Sequence, residues 1–137
     1  YLYWIGTEDA GAPNAPDQSD LIFNGTTVVG DKVDREVYGT NNPDWFMWRA
    51  NIGPSGYNLI GQGLNKFTVS GWEPIVPTSQ NGLSVVVVYD TGACDRPNQI
   101  DLVDSTDYYW ENLPGQETTD PMIFTFPPAP VKQDITI

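Results

Sequence analysis

Aspartate residues crowd one stretch of this sequence in a way that suits a calcium site. Residues 90–107 read D-T-G-A-C-D-R-P-N-Q-I-D-L-V-D-S-T-D and contain five aspartates. Calcium takes about six to eight oxygen ligands, and a bound cation relieves the repulsion between neighbouring carboxylates. We therefore expect Asp101, Asp104 and Asp107 to be candidate calcium ligands, although their spacing does not fit an EF-hand loop. The alternative is that these aspartates only form turns.

Tryptophan is abundant, with five residues in the 137, and its ring can stack on the apolar face of a sugar. Trp45 and Trp72 stand beside loop-forming residues, which makes them candidates for binding a glycan or a protein partner. Trp4 and Trp48 lie within apolar runs and are expected in the core. Alternatively, all five tryptophans pack in the core or at its rims, which requires no ligand.

Residues suited to catalysis are sparse. The chain has no histidine and a single cysteine, Cys94, so a thiol nucleophile would lack its usual base. Two carboxylates can catalyse glycoside hydrolysis, but the acids here are scattered through loops, as solvated surface residues are. We therefore expect no enzymatic activity, and calcium is the one cofactor that the sequence suggests.

Asn24-Gly25-Thr26 carries two signals at once. Asn-Gly between two runs of β-forming residues predicts a hairpin with a type I′ turn, because both residues tolerate a positive φ. The same three residues form an N-x-T sequon, so Asn24 is a candidate for N-glycosylation in a host that glycosylates. Alternatively, Asn24 and Gly25 serve only to form the hairpin turn, and the sequon arises by chance.

The balance of acidic and basic residues restricts the partners and the cellular location that we expect for the protein. Eighteen acidic residues against six basic ones give a net charge of -12. Such a surface repels phosphate backbones, so we expect no nucleic acid partner. No run approaches the roughly 18 apolar residues of a membrane span, so no membrane insertion is expected. An acidic surface and a single cysteine suit a secreted, extracellular or cell-surface protein.

The elements that must position these residues are predicted to be strands. Thirteen Gly and 12 Pro are spread along the chain, and short runs rich in β-branched and aromatic residues recur between them. We predict an all-β fold, a two-sheet antiparallel β-sandwich of jelly-roll-like type. Lys32 to Pro43 is expected to be irregular, and Leu83 to Tyr89 to be a central strand. The predicted core includes Leu21, Phe23, Val28, Phe67, Val69, Val86, Val88, Phe124 and Phe126.

Both ends of the chain read as strands with apolar side chains. The first is Tyr1 to Ile5, and the last is the alternating segment Gln133 to Ile137, which follows Pro-Pro-Ala-Pro at 127–130. We predict a sandwich domain over residues 1–126 and a Pro-rich arm with a terminal strand over 127–137. An apolar terminal strand needs a covering partner, because its unpaired edge would otherwise aggregate.

Four segments taken together carry a resemblance to a known family. They are Y-L-Y-W-I-G at residues 1–6, D-L-I-F-N-G-T-T-V at 20–28, G-L-N-K-F-T-V-S-G at 63–71 and N-G-L-S-V-V-V-V-Y-D at 81–90. The sequence resembles an uncharacterised β-sandwich module of large exported surface proteins of bacteria and archaea, and more broadly the galactose-binding-like jelly roll. The resemblance covers roughly residues 1 to 110. It implies an extracellular, non-catalytic, structural or adhesive module, and it brings no catalytic residues with it.

The function expected from these observations is structural. We expect an extracellular module of a surface protein or filament that joins neighbouring subunits or domains by strand addition, in which a terminal strand completes a neighbour's sheet. The expected assembly residues are Tyr1, Leu2, Tyr3, Trp4, Ile5, Ile135 and Ile137. The alternative is a carbohydrate-binding or adhesive module with glycans as partners.

Overall fold

The computed structural model describes residues 1–8, 18–36, 44–71, 79–93, 100–107, 114, 118–125 and 128. Within these ranges the protein is all-β and contains no helix, as the sequence predicts. The strands are β1 (Leu2–Glu8), β2 (Asp20–Phe23), β3 (Thr26–Val29), β4 (Asp31–Glu36), β5 (Asp44–Ala50), β6 (Val69–Ser70) and β7 (Ser79–Val85).

The strands form two antiparallel sheets. The first sheet has four strands in the order β4-β5-β1-β7, and the second has three in the order β3-β2-β6. β1 therefore lies inside the first sheet, with Trp4 opposite Trp48 of β5 on one side and opposite Leu83 of β7 on the other. Among the described strands, β4 and β7 are the edges of this sheet.

The hairpin of β2 and β3 confirms the Asn-Gly prediction. Asn24 and Gly25 adopt φ angles of 50° and 80°, as a type I′ turn requires, and the strands pair from Phe23–Thr26 outward. Because the turn fixes the register, Leu21, Phe23 and Val28 point to one face and are almost fully buried. These three core predictions are confirmed.

One hydrophobic core joins residues of both sheets. Alternation in β5 buries Phe46, Trp48 and Ala50 while the residues between them stay half-buried, the pattern of a strand with one inward face. Trp4 stacks on Trp48 with ring centroids 6.3 Å apart, and its indole N–H donates to the carbonyl of Gln18 at 2.8 Å. The core cluster consists of Leu2, Trp4, Leu21, Phe23, Val28, Phe46, Trp48, Ala50 and Ile52.

The expectation that Lys32 to Pro43 is irregular is wrong for its first part, which forms most of β4. The sequence D-K-V-D-R-E is poor in β-forming residues, so cross-strand contacts hold it in place. The Lys32 ammonium lies 3.5 Å from the ring centroid of Phe46, and Arg35 forms an ion pair with Asp44 at 2.5 Å. Both partners belong to β5, which thereby organises its neighbour.

The second half of the chain differs most from prediction. Only Leu83 to Val85 of the apolar run at 83–89 lie in a strand, β7, which is at an edge among the described strands rather than in the centre. Phe67 and Val88 are 43% and 53% exposed, so their assignment to the core is wrong. Residues 100–107 and 122–125 carry no strand. The predicted domain boundary at 126/127 and the core residue Phe126 lie outside the described residues.

No helix in the described ranges is long and apolar enough to cross a membrane.

Candidate functional site

The first strand is not the free apolar end that the sequence suggests. Leu2 to Ile5 is paired on both edges within its own chain, Tyr1 is hydrogen-bonded to Val86 on one side, and Leu2 and Trp4 are 0% and 1% exposed. A segment that already completes its own sheet has no backbone edge to offer a neighbour. The prediction that Tyr1, Leu2, Tyr3, Trp4 and Ile5 form a free strand is therefore corrected. Ile135 and Ile137 lie outside the described residues.

The outward edge of β7 is the more suitable place for strand pairing. The amino group of Tyr1 donates to the carbonyl of Val86 at 2.7 Å, and the amide of Val86 donates to the carbonyl of Tyr1 at 2.9 Å. In an antiparallel pair of strands, residues that exchange backbone hydrogen bonds alternate with residues that do not. The same register pairs Tyr3 with Ser84, so the residues of β7 that alternate with Ser84 and Val86 turn their backbone groups away from β1. The N–H and C=O groups of Leu83 and Val85 thus face the outer edge of the sheet.

An apolar depression lies beside this edge, and we call it the outer groove. It has a volume of about 380 Å³. Residues of the first sheet contribute Tyr3, Ile5, Met47 and Leu83, and later segments contribute others, namely Leu102, Val103 and Met122. Met122 is 57% exposed, and Leu102 and Val103 are each 41% exposed. The edge of β7 is therefore flanked by apolar side chains that water still reaches.

Polar contacts anchor the 100–107 segment to the first sheet. The Asp104 carboxylate forms an ion pair with Arg49 and accepts a hydrogen bond from the Tyr3 hydroxyl at 2.7 Å. Burial and the neighbouring Asp104 raise the pKa of Tyr3 to about 12. The amide of Thr106 donates to the Asp34 carboxylate. These contacts hold one side of the outer groove at a fixed place against β1 and β5.

The predicted calcium ligands serve other purposes in this arrangement. Asp104 is occupied by Arg49 and Tyr3, and Asp107 accepts a hydrogen bond from the amide of Asp120 at 2.5 Å. Asp101 is also engaged in a noncovalent interaction with another group. Within the described ranges no group of three or more acidic or cysteine side chains is arranged to hold a metal ion. Calcium binding remains a prediction without support from this geometry.

Acidic groups also meet at the end of β4. Burial, and then the charges of Asp107, Asp34 and Asp120, raise the pKa of Glu36. The pKa of Asp34 is lowered although burial, the largest influence on it, acts in the opposite direction. Hydrogen bonds from the amides of Thr106 and Arg35 outweigh that burial. The two carboxyl groups thus respond oppositely to one environment, because only Asp34 has donors aimed at it.

A second concavity, which we call the aromatic cleft, lies between the loop after β5 and the chain after β7. Its volume is about 700 Å³. The rings of Tyr1, Phe67 and Tyr89 line it and are 39%, 43% and 76% exposed. Polar side chains complete the lining, among them Asn51, Ser55, Gln62, Asn65 and Asp90.

Internal hydrogen bonds fix the loop wall of the aromatic cleft. Asn51 accepts from the amide of Gly53 at 3.0 Å and donates to the Ser55 hydroxyl at 2.9 Å. Asn65 accepts from the amide of Gly61 at 3.1 Å and donates to the carbonyls of Gly61 and Gly63, each at 3.0 Å. The two amide side chains therefore shape the wall, and the cleft exists before any ligand arrives.

Trp45, one of the two residues predicted to bind sugars, is not among the described residues that line this cleft. Trp45 is half-buried on β5, on the face of the first sheet opposite Trp48, and Trp72 lies outside the described residues. Asn24 is exposed at its turn, where its side-chain oxygen accepts from the amide of Thr68 at 2.8 Å. Glycosylation of Asn24 remains a prediction.

Sequence reasoning misses the aromatic cleft because its rings come from three distant segments. Tyr1 precedes β1, Phe67 precedes β6 and Tyr89 follows β7. The alternation of Phe67 with Val69 favours a place in the core instead. The one local signal is Tyr89-Asp90 at the end of an apolar run, where an aromatic ring and a carboxylate stand together.

Comparisons with known proteins leave the family open. No protein-family model matches the chain, and no significant similarity is found to curated proteins or to solved structures. The resemblance to surface-protein modules therefore stays a prediction, and the function must be argued from the chain's own geometry.

Proposed function

We propose that the protein is an extracellular structural module, in a surface protein or a filament, that assembles with neighbouring copies or domains by strand addition. The acceptor is the outer edge of β7, and the two sheets pack as a jelly-roll-like sandwich around the shared core. The protein carries no catalytic activity in this proposal. Its partners are other copies of the chain or adjoining domains of the same surface protein.

The outward-facing backbone of Leu83 and Val85 is the observation that carries the proposal. Edge strands usually protect such groups with charges, Pro residues or bulges, because any extended chain can pair with them. β7 has a register shift opposite Ile5/Gly6, but beyond it the strand runs regularly through Leu83, Ser84 and Val85. None of these three residues is charged or a proline. An added strand would find backbone partners there without displacing β1.

The outer groove supplies the second requirement of strand addition, which is a place for side chains. Every other side chain of an added strand points to the same face of the sheet. The exposed apolar residues Leu102, Val103 and Met122 stand close to β7, and their burial would stabilise the complex by about 25 cal/mol for each Å² removed from water. Backbone pairing and apolar burial thus act at one place.

The donor in this proposal is the segment Gln133 to Ile137 of a neighbouring chain. Its sequence Q-D-I-T-I places Ile135 and Ile137 on one face, as a strand that fills an apolar groove requires. In this proposal the Pro-Pro-Ala-Pro sequence before it would serve as a stiff extended spacer, as proline-rich linkers do. Tyr1 to Ile5 is not the donor in this proposal, because β1, which begins at Leu2, is paired on both sides in its own sheet.

Charge gives the assembly a dependence on salt. Each copy carries a net charge of -12, so two copies repel one another at low ionic strength. Screening weakens this repulsion but leaves backbone hydrogen bonds and apolar burial intact. We therefore expect growth of the assembly to be favoured by added salt.

A proline at residue 83 tests the acceptor edge directly. Leu83→Pro removes the outward N–H while keeping the N–H groups of Ser84 and Gly82 that serve the ladder with β1. Leu83→Ala is the matched control, because it shortens the same side chain and retains the N–H. In sedimentation velocity and electron microscopy of the full chain over a concentration series, wild type and Leu83→Ala should form oligomers or filaments. Leu83→Pro should remain monomeric.

A competition experiment with a synthetic peptide provides a second test if the proline variant does not fold. The peptide VKQDITI, residues 131–137, should cap the β7 edge of the wild-type chain and stop its growth, whereas a scrambled peptide should not. Growth that is indifferent both to Leu83→Pro and to the peptide contradicts the proposed acceptor. A chain that stays monomeric at every concentration and salt level contradicts assembly itself.

A further inference from the structure

We infer that the aromatic cleft is a binding site for neutral oligosaccharides. The cleft shares Val86 with the lining of the outer groove but is otherwise lined by different residues, and binding there requires no assembly. Three features of the cleft carry the inference: aromatic faces held open to solvent, polar side chains between them, and the absence of a basic side chain among its described lining residues.

Two of the three rings are held in place. Phe67 packs on Phe23 of the core with ring centroids 5.3 Å apart, at a tilt of 37°. Tyr1 is fixed by its backbone bonds to Val86 and by the Arg49 guanidinium, which lies 5.4 Å from the ring centroid. Each ring remains more than a third exposed although it is anchored. A rigid, solvated ring offers stacking area to a ligand at a low cost in entropy.

Tyr89 provides the most accessible ring of the cleft. It is 76% exposed and follows Val87 and Val88, which are both 53% exposed and also line the cleft. The C–H faces of a hexose ring are apolar, while its hydroxyl groups are polar on the rim. Aromatic and valine side chains therefore match the faces of a sugar, and the polar residues around them match its edges.

The polar groups of the cleft suit hydroxyl partners. The Asp90 carboxylate is exposed at one end, and one of its oxygens accepts from the amide of Gly92 at 2.7 Å, which orients the group. A carboxylate accepts hydrogen bonds from hydroxyl groups, and the exposed amide of Gln62 both donates and accepts. This combination of donor and acceptor groups recognises polyols rather than purely apolar ligands.

Charge selects a neutral ligand. Asp90 is the one charged side chain among the described residues that line the cleft. The amino group of Tyr1 is bonded to Val86, and burial together with Arg49 lowers its pKa. A polyanionic glycan would meet a carboxylate in the cleft and a net charge of -12 beyond it. The volume of about 700 Å³ falls in the range of about 300–1,000 Å³ typical of small-molecule sites.

The test is isothermal titration of the full chain with hexamers of glucose, mannose and galactose, with polygalacturonate as the acidic comparison. At least one neutral hexamer should bind, and polygalacturonate should not. Tyr89→Ala should weaken binding about tenfold, and Tyr89→Phe should retain most of it because the ring remains. Leu64→Ala, an exposed apolar residue outside the lining, should bind as the wild type does.

Two results would overturn the inference. The first is that no neutral hexamer binds. The second is that a hexamer binds with equal affinity to wild type and Tyr89→Ala, which would place the sugar elsewhere. Tyr89 is mostly solvent-exposed, so its replacement leaves the core intact and the comparison remains interpretable. The titration is run below the concentration at which the wild type assembles, so failure of this inference leaves the assembly proposal untouched.

Discussion

Gly30 lies where a side chain cannot fit, which gives a sharp prediction about stability. A Cβ atom at residue 30 would lie 2.4 Å and 2.7 Å from two atoms of the Trp4 ring and 2.9 Å from the Cβ of Trp48. Both tryptophans are essentially fully buried, so neither ring can swing out into solvent. The backbone is held as well, because the amide of Gly30 donates to the carbonyl of Ser19 at 2.8 Å.

The magnitude for Gly30→Ala follows from three contributions. Overpacking of a dense core costs about 1–3 kcal/mol. Displacement of the Trp4 ring weakens its hydrogen bond to the Gln18 carbonyl, which is worth about 1 kcal/mol. The lower entropy of the unfolded alanine chain returns about 0.4–1 kcal/mol. We therefore expect Gly30→Ala to lower the free energy of unfolding by about 1–3.5 kcal/mol, a substantial part of a typical domain's stability.

Urea unfolding followed by far-ultraviolet circular dichroism measures this loss. Gly61→Ala is the matched control, because no atom lies within 4 Å of the position that an added Cβ would take and its φ is not positive. The control should raise the free energy of unfolding by about 0.4–1 kcal/mol, because only the entropic contribution acts there. If Gly30→Ala were as stable as Gly61→Ala, the close approach of the Trp4 ring to the β3–β4 connection would be refuted.

Two further predictions concern the charged groups of the first sheet. Glu36→Gln should raise the melting temperature at pH 7 but not near pH 3, because a carboxyl group whose pKa is raised in the folded state opposes folding only while it is ionised. Asp31→Asn on the same strand is the control. An equal gain in melting temperature at both pH values would contradict this reasoning. Asp104→Asn should cost about 1–2 kcal/mol, less than a fully buried pair because Arg49 is 34% exposed. In a spectrophotometric titration it should also move the pKa of Tyr3 from about 12 toward 10, and an unmoved titration would show that Asp104 does not face Tyr3.

Local chemistry explains which strands can be predicted from sequence. The β2–β3 hairpin depends on Asn24-Gly25, whose backbone preference is intrinsic to the two residues. β5 is predictable because aromatic and apolar residues dominate it. β4 escapes prediction because its residues have little β propensity of their own, and it is held by Lys32 on Phe46 and Arg35 on Asp44. Such cross-strand pairs exist only once the register is known.

Topology accounts for the remaining differences. An apolar strand at the start of a sequence looks exposed when only its position is considered, yet β1 occupies the inside of the first sheet. The more apolar run at 83–89 is expected in the centre, but only its first three residues lie in a strand, and that strand is at an edge among those described. The hydrophobicity of a strand predicts that other parts of the protein cover it, but it does not predict which parts these are. That ambiguity also hides the candidate acceptor edge and the aromatic cleft.

The stacked pair of Trp4 and Trp48 has an optical consequence. Their rings are 6.3 Å apart and only 16° from parallel, so their electronic transitions couple, and both are shielded from water. The pair should give a strong signal in near-ultraviolet circular dichroism and emit at short wavelength. Because it lies in the core, this emission reports unfolding and should be silent to ligands in the aromatic cleft, where tyrosine absorbance is the proper probe.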